Sequence, residues 1–122
     1  TSFSVVRYGN VVGSRGSVAS GAGYTAAKHG VLGLTKQAAV EYAKSNISVN
    51  SISVGPTLTE ATEKILEMET NARNHFLSEL NPTGELIKIE SIAEAVYFLC
   101  SSGASMINGH SLTIDGGQLA KL

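Results

Sequence analysis

The sequence has 122 residues, of which 43% are hydrophobic and 16% charged, with nine Lys plus Arg against ten Asp plus Glu for a net charge of -1. That length suits one domain with one core, and the near-neutral balance gives no basic field for nucleic acid. Cys100 is the single cysteine, which excludes an internal disulfide and a Cys-rich zinc site and fits a reducing, cytoplasmic setting. With no apolar run near the roughly 20 residues that span a bilayer and no secretion signal at the N-terminus, a soluble protein with no membrane partner is expected.

In chain order, Ser2 to Tyr8 (SFSVVRY) is β-branched and aromatic, which predicts a buried strand, and Gly9 to Gly23 predicts a long loop. From Tyr24 to about Lys44, Ala27, Val31, Leu34, Ala38 and Tyr42 recur at helical steps. Gly30 and Gly33 each cost a helix about 1 kcal/mol relative to Ala, so a close partner, such as another helix, is expected against them. Ile47 to Ser53 (ISVNSIS) predicts a second strand, ended by Gly55-Pro56. Thr57 with Glu60 has the form of a capping box that opens a polar helix to about Leu80, before Asn81-Pro82-Thr83-Gly84 breaks the chain. Ser91 with Glu94 repeats the capping pattern, and Ile92, Val96 and Leu99 give the next helix an apolar face. His110 to Ile114 predicts a third strand, stopped by Asp115-Gly116-Gly117. Strands alternating with helices imply an α/β fold with a parallel sheet. Three strands with three helices give thin cover, so the expectation is half of a larger doubly wound domain. Within that one partial domain the parts are a strand and loop at 1–23, a helix and strand at 24–59, a polar segment at 60–89, and a last helix and strand at 90–122.

Tyr24-Thr-Ala-Ala-Lys28 places a phenol and an ammonium one helical turn apart. A free tyrosine, with a pKa near 10, is a poor acid/base at neutral pH, but a neighbouring cation favours the phenolate. The pair alone is better read as a half-buried core tyrosine and a solvated lysine. Three motifs in order, YTAAKHGVLGLTKQAAVEYA, ISVNSISVGPTLT and INGHSLTIDGG, closely resemble the C-terminal half of the short-chain dehydrogenase/reductase family. The likeness runs from about Gly21 to Gly117, and it implies the C-terminal half of a Rossmann-type doubly wound parallel sheet, with an active-site loop within 1–23 and a substrate lid within 60–89. It implies hydride transfer between NAD or NADP and a carbonyl or alcohol substrate. By that resemblance Tyr24 would be the general acid/base and Lys28 would hold the nicotinamide ribose and favour the phenolate. Gly55, Pro56 and Thr57 would lie beside the nicotinamide, Thr59 would reach its carboxamide, and residues 60–80 would be the variable substrate lid. Family members commonly pair through the tyrosine helix, so a homo-oligomer is expected.

Several positions depart from the family pattern. No G-x-G-x-x-G turn is present to cradle a pyrophosphate; Gly13 to Ser17 (GSRGS) lacks that spacing and reads as a loop. Asn10, fourteen residues before Tyr24, falls where the family has a substrate-orienting serine. An amide can donate a hydrogen bond but cannot relay a proton as a hydroxyl does, with Ser14 and Ser17 as fallback donors. Val54 stands where many members have proline and Ser48 where many have a basic residue; both changes look tolerable. Phe3 to Val18 (FSVVRYGNVVGSRGSV) resembles nucleotide-sugar 4,6-dehydratases of the extended branch, where the segment follows the Tyr-Lys helix instead of preceding it. The sequence therefore reads like two relatives joined, and a nucleotide-sugar dehydratase or epimerase is an alternative. A third is a non-catalytic chain acting only through association, with no nicotinamide binding in isolation. His29, His75 and His110 have no ligand spacing, so no metal is expected, and Cys100 is expected to be buried and inert. Asp115-Gly116-Gly117 reads as a turn and subunit contact.

Overall fold

The computed structural model describes residues 3–10, through their backbone alone, and residues 21–121. Strand β1 is Phe3–Asn10, helix α1 Ala22–Tyr42, strand β2 Ile47–Val54, helices α2 Glu60–Glu63, α3 Thr70–Leu80 and α4 Ile89–Leu99, and strand β3 Ser111–Ile114. The three strands form one parallel sheet in the order β1-β2-β3, with Asn10 opposite Val54 and Ile114 opposite Val54 on the other side. The expected strands, α1 and α4 form in the expected order with ends shifted by a few residues, while the helix expected to reach Leu80 is broken into α2 and α3.

The central strand explains the layering. Alternate side chains of β2 point to opposite faces. Val49 packs with Ala38 and Ala39 of α1, while Ile52 and Val54 pack with Ile87 and Leu99, joined by Ile92, Val96, Leu112 and Ile114. Helix α1 therefore covers one face and α4 the other, as a doubly wound sheet requires. Burial of side chains such as Val54 and Leu99 contributes about 1.5–3 kcal/mol each. Two asparagines fix the β2–β3 junction from within. Asn50 is buried; its Nδ2 donates to the Ile107 carbonyl and its Oδ1 accepts from the His110 N–H. Asn108 accepts from the Val49 N–H and donates to the Ala39 carbonyl, tying strand, turn and helix together.

Six local expectations are corrected. The buried residues of α1 are Thr35, Ala38 and Ala39, so its packed face is rotated from the predicted stripe, and Leu34 and Tyr42 are about half exposed. A Cβ at Gly30 or Gly33 would meet nothing within 4 Å, so among the described residues no helix packs there. The capping box of α2 is Thr59 with Thr62, not Thr57 with Glu60: Leu58 N–H donates to the Ile87 carbonyl and Thr57 bridges Ile87, which holds residues 57–58 extended and delays the helix. The same bridge lets α4 start at Ile89, with Lys88 at its N-cap, and leaves Ser91 inside the first turn. The single polar helix expected to Leu80 is divided, because the Glu69 carboxylate accepts from the Asn71 and Ala72 N–H groups and opens α3 afresh. Cys100, expected buried, is exposed at the end of α4.

Candidate active site at the carboxyl edge of the sheet

In a parallel α/β unit each helix begins where the preceding strand ends, so the strand ends and helix starts gather along one edge of the sheet. Asn10 ends β1, Val54 ends β2 beside it, the Gly55–Thr59 loop follows, and Tyr24 and Lys28 occupy the first turns of α1. This topology brings the sequence-predicted site residues to one edge. Tyr24 is 47% exposed, and the Lys28 ammonium stands 5.4 Å from the centroid of its ring, within the range of a cation–π contact. The side chain of Asn10, Ser14, Ser17 and the Gly13–Ser17 loop lie outside the described residues.

The loop after β2 is held on two sides. Its Gly55 N–H donates to the Ile114 carbonyl at 3.0 Å, and Pro56 accepts from the Ile87 N–H at 2.8 Å. Gly55 is buried, Pro56 and Thr57 are half-buried, and Thr59 is exposed. The Thr57 hydroxyl donates to the Gly55 carbonyl, and the Thr62 hydroxyl donates to the Thr57 carbonyl at 2.6 Å. Beside the loop a cleft of about 320 Å³ is lined by Leu58, Thr59, Glu63, Leu66, Lys88 and Ile89, so the first turns after the loop border open space. Another groove, of about 510 Å³, lies at the far end of α1 beside Ala43 and Gly109, away from Tyr24.

Sequence reasoning missed two supports. Asn81 and Asp115 are both buried; Asp115 lies against Gly55 of this loop, and Asn81 lies against Gly116, the next residue of the same turn. The available signals were Asn81 before a Pro-x-Gly turn and Asp115 before paired glycines, both patterns in which a short side chain closes its own backbone. Among the described residues no group of His, Cys, Asp and Glu is placed to hold a metal ion, and no described helix is long and apolar enough to cross a membrane. His29 Nδ1–H donates to the Thr25 carbonyl of its own helix.

The N-cap of α3 carries a displaced titration. The Ala72 N–H, then the Asn71 N–H, with Arg73 as a lesser cause, hold the Glu69 carboxyl below its ordinary value of 4.5. A depressed folded-state pKa means that the cap stabilises α3 above the unfolded value and is lost as pH falls through the lowered one. In an acid titration followed by NMR, the Asn71 and Ala72 amide shifts should move with a midpoint below 4.5. A midpoint at or above that value would contradict the cap.

Parallel strands, helices on both faces and loops gathered at the carboxyl edge define a Rossmann-type fold. The sequence model of a family described as enoyl-(acyl carrier protein) reductase matches residues 4–118. D-beta-hydroxybutyrate dehydrogenase of Rhizobium meliloti is 35% identical over 122 residues, covering 92% of this chain and 47% of the relative. Levodione reductase of Leifsonia aquatica is 39% identical over 121 residues, covering 95% and 45%. A 4-hydroxyisoleucine dehydrogenase solved with NADH superposes with a TM-score of 0.87 at 34% identity, over 98% of this chain and 48% of that one. This chain belongs to the short-chain dehydrogenase/reductase family, whose cofactor is NAD or NADP. It spans about half the length of the curated relatives it matches.

Proposed function

We propose that this chain supplies the proton-transfer and lid half of an NAD(P)-dependent oxidoreductase acting on a secondary alcohol or its ketone. The observation that carries the reading is the Tyr24/Lys28 pair in the first turns of α1, at the edge where the Gly55–Thr59 loop also lies. The donor set fits the nicotinamide end of the cofactor: the Lys28 ammonium suits ribose hydroxyls, and the Thr57 and Thr59 hydroxyls suit a carboxamide. No G-x-G-x-x-G turn occurs in these 122 residues to receive the pyrophosphate. When bound, NAD(P) supplies the hydride acceptor or donor. Tyr24 gives a proton to the carbonyl oxygen in reduction and takes it back in oxidation, Lys28 would hold the ribose, and Asn10, at the end of β1, would orient the carbonyl. Lid residues 60–80 select the substrate and keep water out.

The reading is supported by relatives named for 3-hydroxybutyrate, levodione and cyclohexanol, all small alcohols or ketones. The nucleotide-sugar alternative rests on the likeness of Phe3–Val18 alone. A homo-oligomer paired through α1 is supported by its uncovered side, where Gly30 and Gly33 meet nothing and Val40 is 77% exposed. A cytoplasmic location accords with a single, exposed cysteine. The test is to follow NADH and NADPH absorbance with the complete polypeptide, offering 3-oxobutyrate, levodione and cyclohexanone, and the reverse reactions with the alcohols. Saturable turnover with one of these cofactors is expected; none with any pair would overturn the reading.

A further inference from the structure

The turn after β3 makes contacts that a mere chain end does not need. Asp115 is 7% exposed; its carboxylate accepts from the Gly117 N–H at 2.9 Å and the Leu119 N–H at 2.8 Å, which folds residues 115–120 into a closed turn. That turn touches two separate parts of the site. On one side, a Cβ at Gly55 would stand 3.0 Å from the Asp115 Cα and Cβ and 3.1 Å from Gln118 Oε1, so the loop rests directly on the Asp115 backbone. On the other, Gly116 adopts φ +61, and a Cβ there would stand 2.8 Å from Asn81 Oδ1.

Asn81 marks the exit of the lid. It is fully buried, donates from Nδ2 to the Glu85 carbonyl at 2.9 Å, and accepts from the Thr83 N–H at 3.0 Å. Two residues beyond Glu85, Ile87 donates to the Pro56 carbonyl and accepts from Leu58, closing the path back to the loop. Gly117 lies against Pro82, where a Cβ would be 3.3 Å from Cγ. Lys121 Nζ reaches the Ser78 carbonyl near the end of α3 at 3.4 Å. Loop, lid exit and C-terminal turn form a ring of contacts with Asp115 at its centre.

We propose that Asp115 is a positioning residue that sets the loop after β2 and the lid exit relative to each other, through Gly55 on one side and Gly116–Asn81 on the other. The inference rests on the oxidoreductase reading for its kinetic consequence and on the contacts alone for its structural one. The two sides separate under mutation. Asp115→Ala frees both backbone donors and loosens the surface under Gly55; Gly116→Ala pushes on Asn81 and leaves the Gly55 contact in place.

The test uses the complete polypeptide carrying Asp115→Ala, the milder Asp115→Asn, or Gly116→Ala. Asp115→Ala should raise the KM for NADH or NADPH about tenfold, the scale of one lost charge-assisted hydrogen bond, and Asp115→Asn should do so less. Gly116→Ala should raise the carbonyl-substrate KM about tenfold with the cofactor KM within about twofold. Amide exchange at Gly55, Leu58 and Ile87 should quicken in the Asp115 variants relative to Asn50–Ile52 of the same sheet. If Asp115→Ala fails to fold, Asp115→Asn carries the same comparisons. Lower thermal stability with both KM values unchanged would overturn the proposal and leave the oxidoreductase reading standing. If the wild type shows no nicotinamide-dependent turnover, that reading falls and the exchange pattern decides: faster exchange at Gly55, Leu58 and Ile87 supports the coupling, and unchanged exchange overturns it.

Discussion

Replacing Tyr24 with phenylalanine is expected to lower kcat in the complete polypeptide by about 10²- to 10⁴-fold, the range contributed by a positioned general acid or base. The dissociation constant for NADH or NADPH should stay within about twofold of wild type, because the substitution removes one hydroxyl and leaves Lys28 and the Gly55–Thr59 loop untouched. With Tyr24 about half exposed, the change should alter folding stability by no more than about 0.5 kcal/mol, so lost turnover cannot be assigned to unfolding. The ring also remains beneath the Lys28 ammonium, 5.4 Å from its centroid, and keeps that contact. Steady-state kinetics and a fluorescence titration of the same preparation check both halves of the prediction. Turnover equal to wild type would remove Tyr24 from the mechanism.

The placement of the candidate site residues was legible where chemistry and periodicity coincide. Tyr24 and Lys28 share a helix face because four residues make about one turn, and the Gly55-Pro56 stop puts the following threonines in a loop. The parallel sheet was legible from the alternation of strands with helices, and the order β1-β2-β3 supplies the adjacency that alternation leaves open. Membership of the family follows from three motifs at once, and the match over residues 4–118 also takes in most of the N-terminal segment that resembled dehydratases.

What sequence did not disclose is decided by contacts distant along the chain. Thr57 and Glu60 satisfy the capping pattern locally, yet Ile87 captures the backbone at 57–58 and moves the helix start to Glu60, with Thr59 as its cap. Ser91 and Glu94 fail for the same reason, since Ile87 fixes where α4 can begin. No glycine or proline announces the break before α3; a glutamate carboxylate that caps two N–H groups makes it. The rotation of α1 follows from packing as well. Small Ala38 and Ala39 beside Thr35, whose hydroxyl bonds the Val31 carbonyl, let the helix approach β2 more closely than the larger Leu34 and Tyr42 would. Propensity and periodicity give a weak ranking of faces, and tertiary contact selects among them.

That selection can be measured at two adjacent positions, Leu99 and Cys100, which end the same helix in opposite environments. Leu99 is 1% exposed and packs with Ile52, Val54 and Ile87, the residue whose backbone clips the Gly55–Thr59 loop. Leu99→Ala should destabilise by about 2–5 kcal/mol, the transfer term plus a cavity beneath that clip. Against a typical total of about 5–15 kcal/mol this is a large fraction, and the thermal midpoint should fall by several degrees. Cys100 is exposed and contributes its N–H, not its thiol, to the helix end, so Cys100→Ala should stay within about 0.5 kcal/mol of wild type. Urea denaturation of both variants in the complete polypeptide provides the comparison. Equal losses would mean that α4 is rotated from the packing described, with the thiol inward; a small loss at Leu99 would mean that Ile87 and Val54 close over the cavity without it.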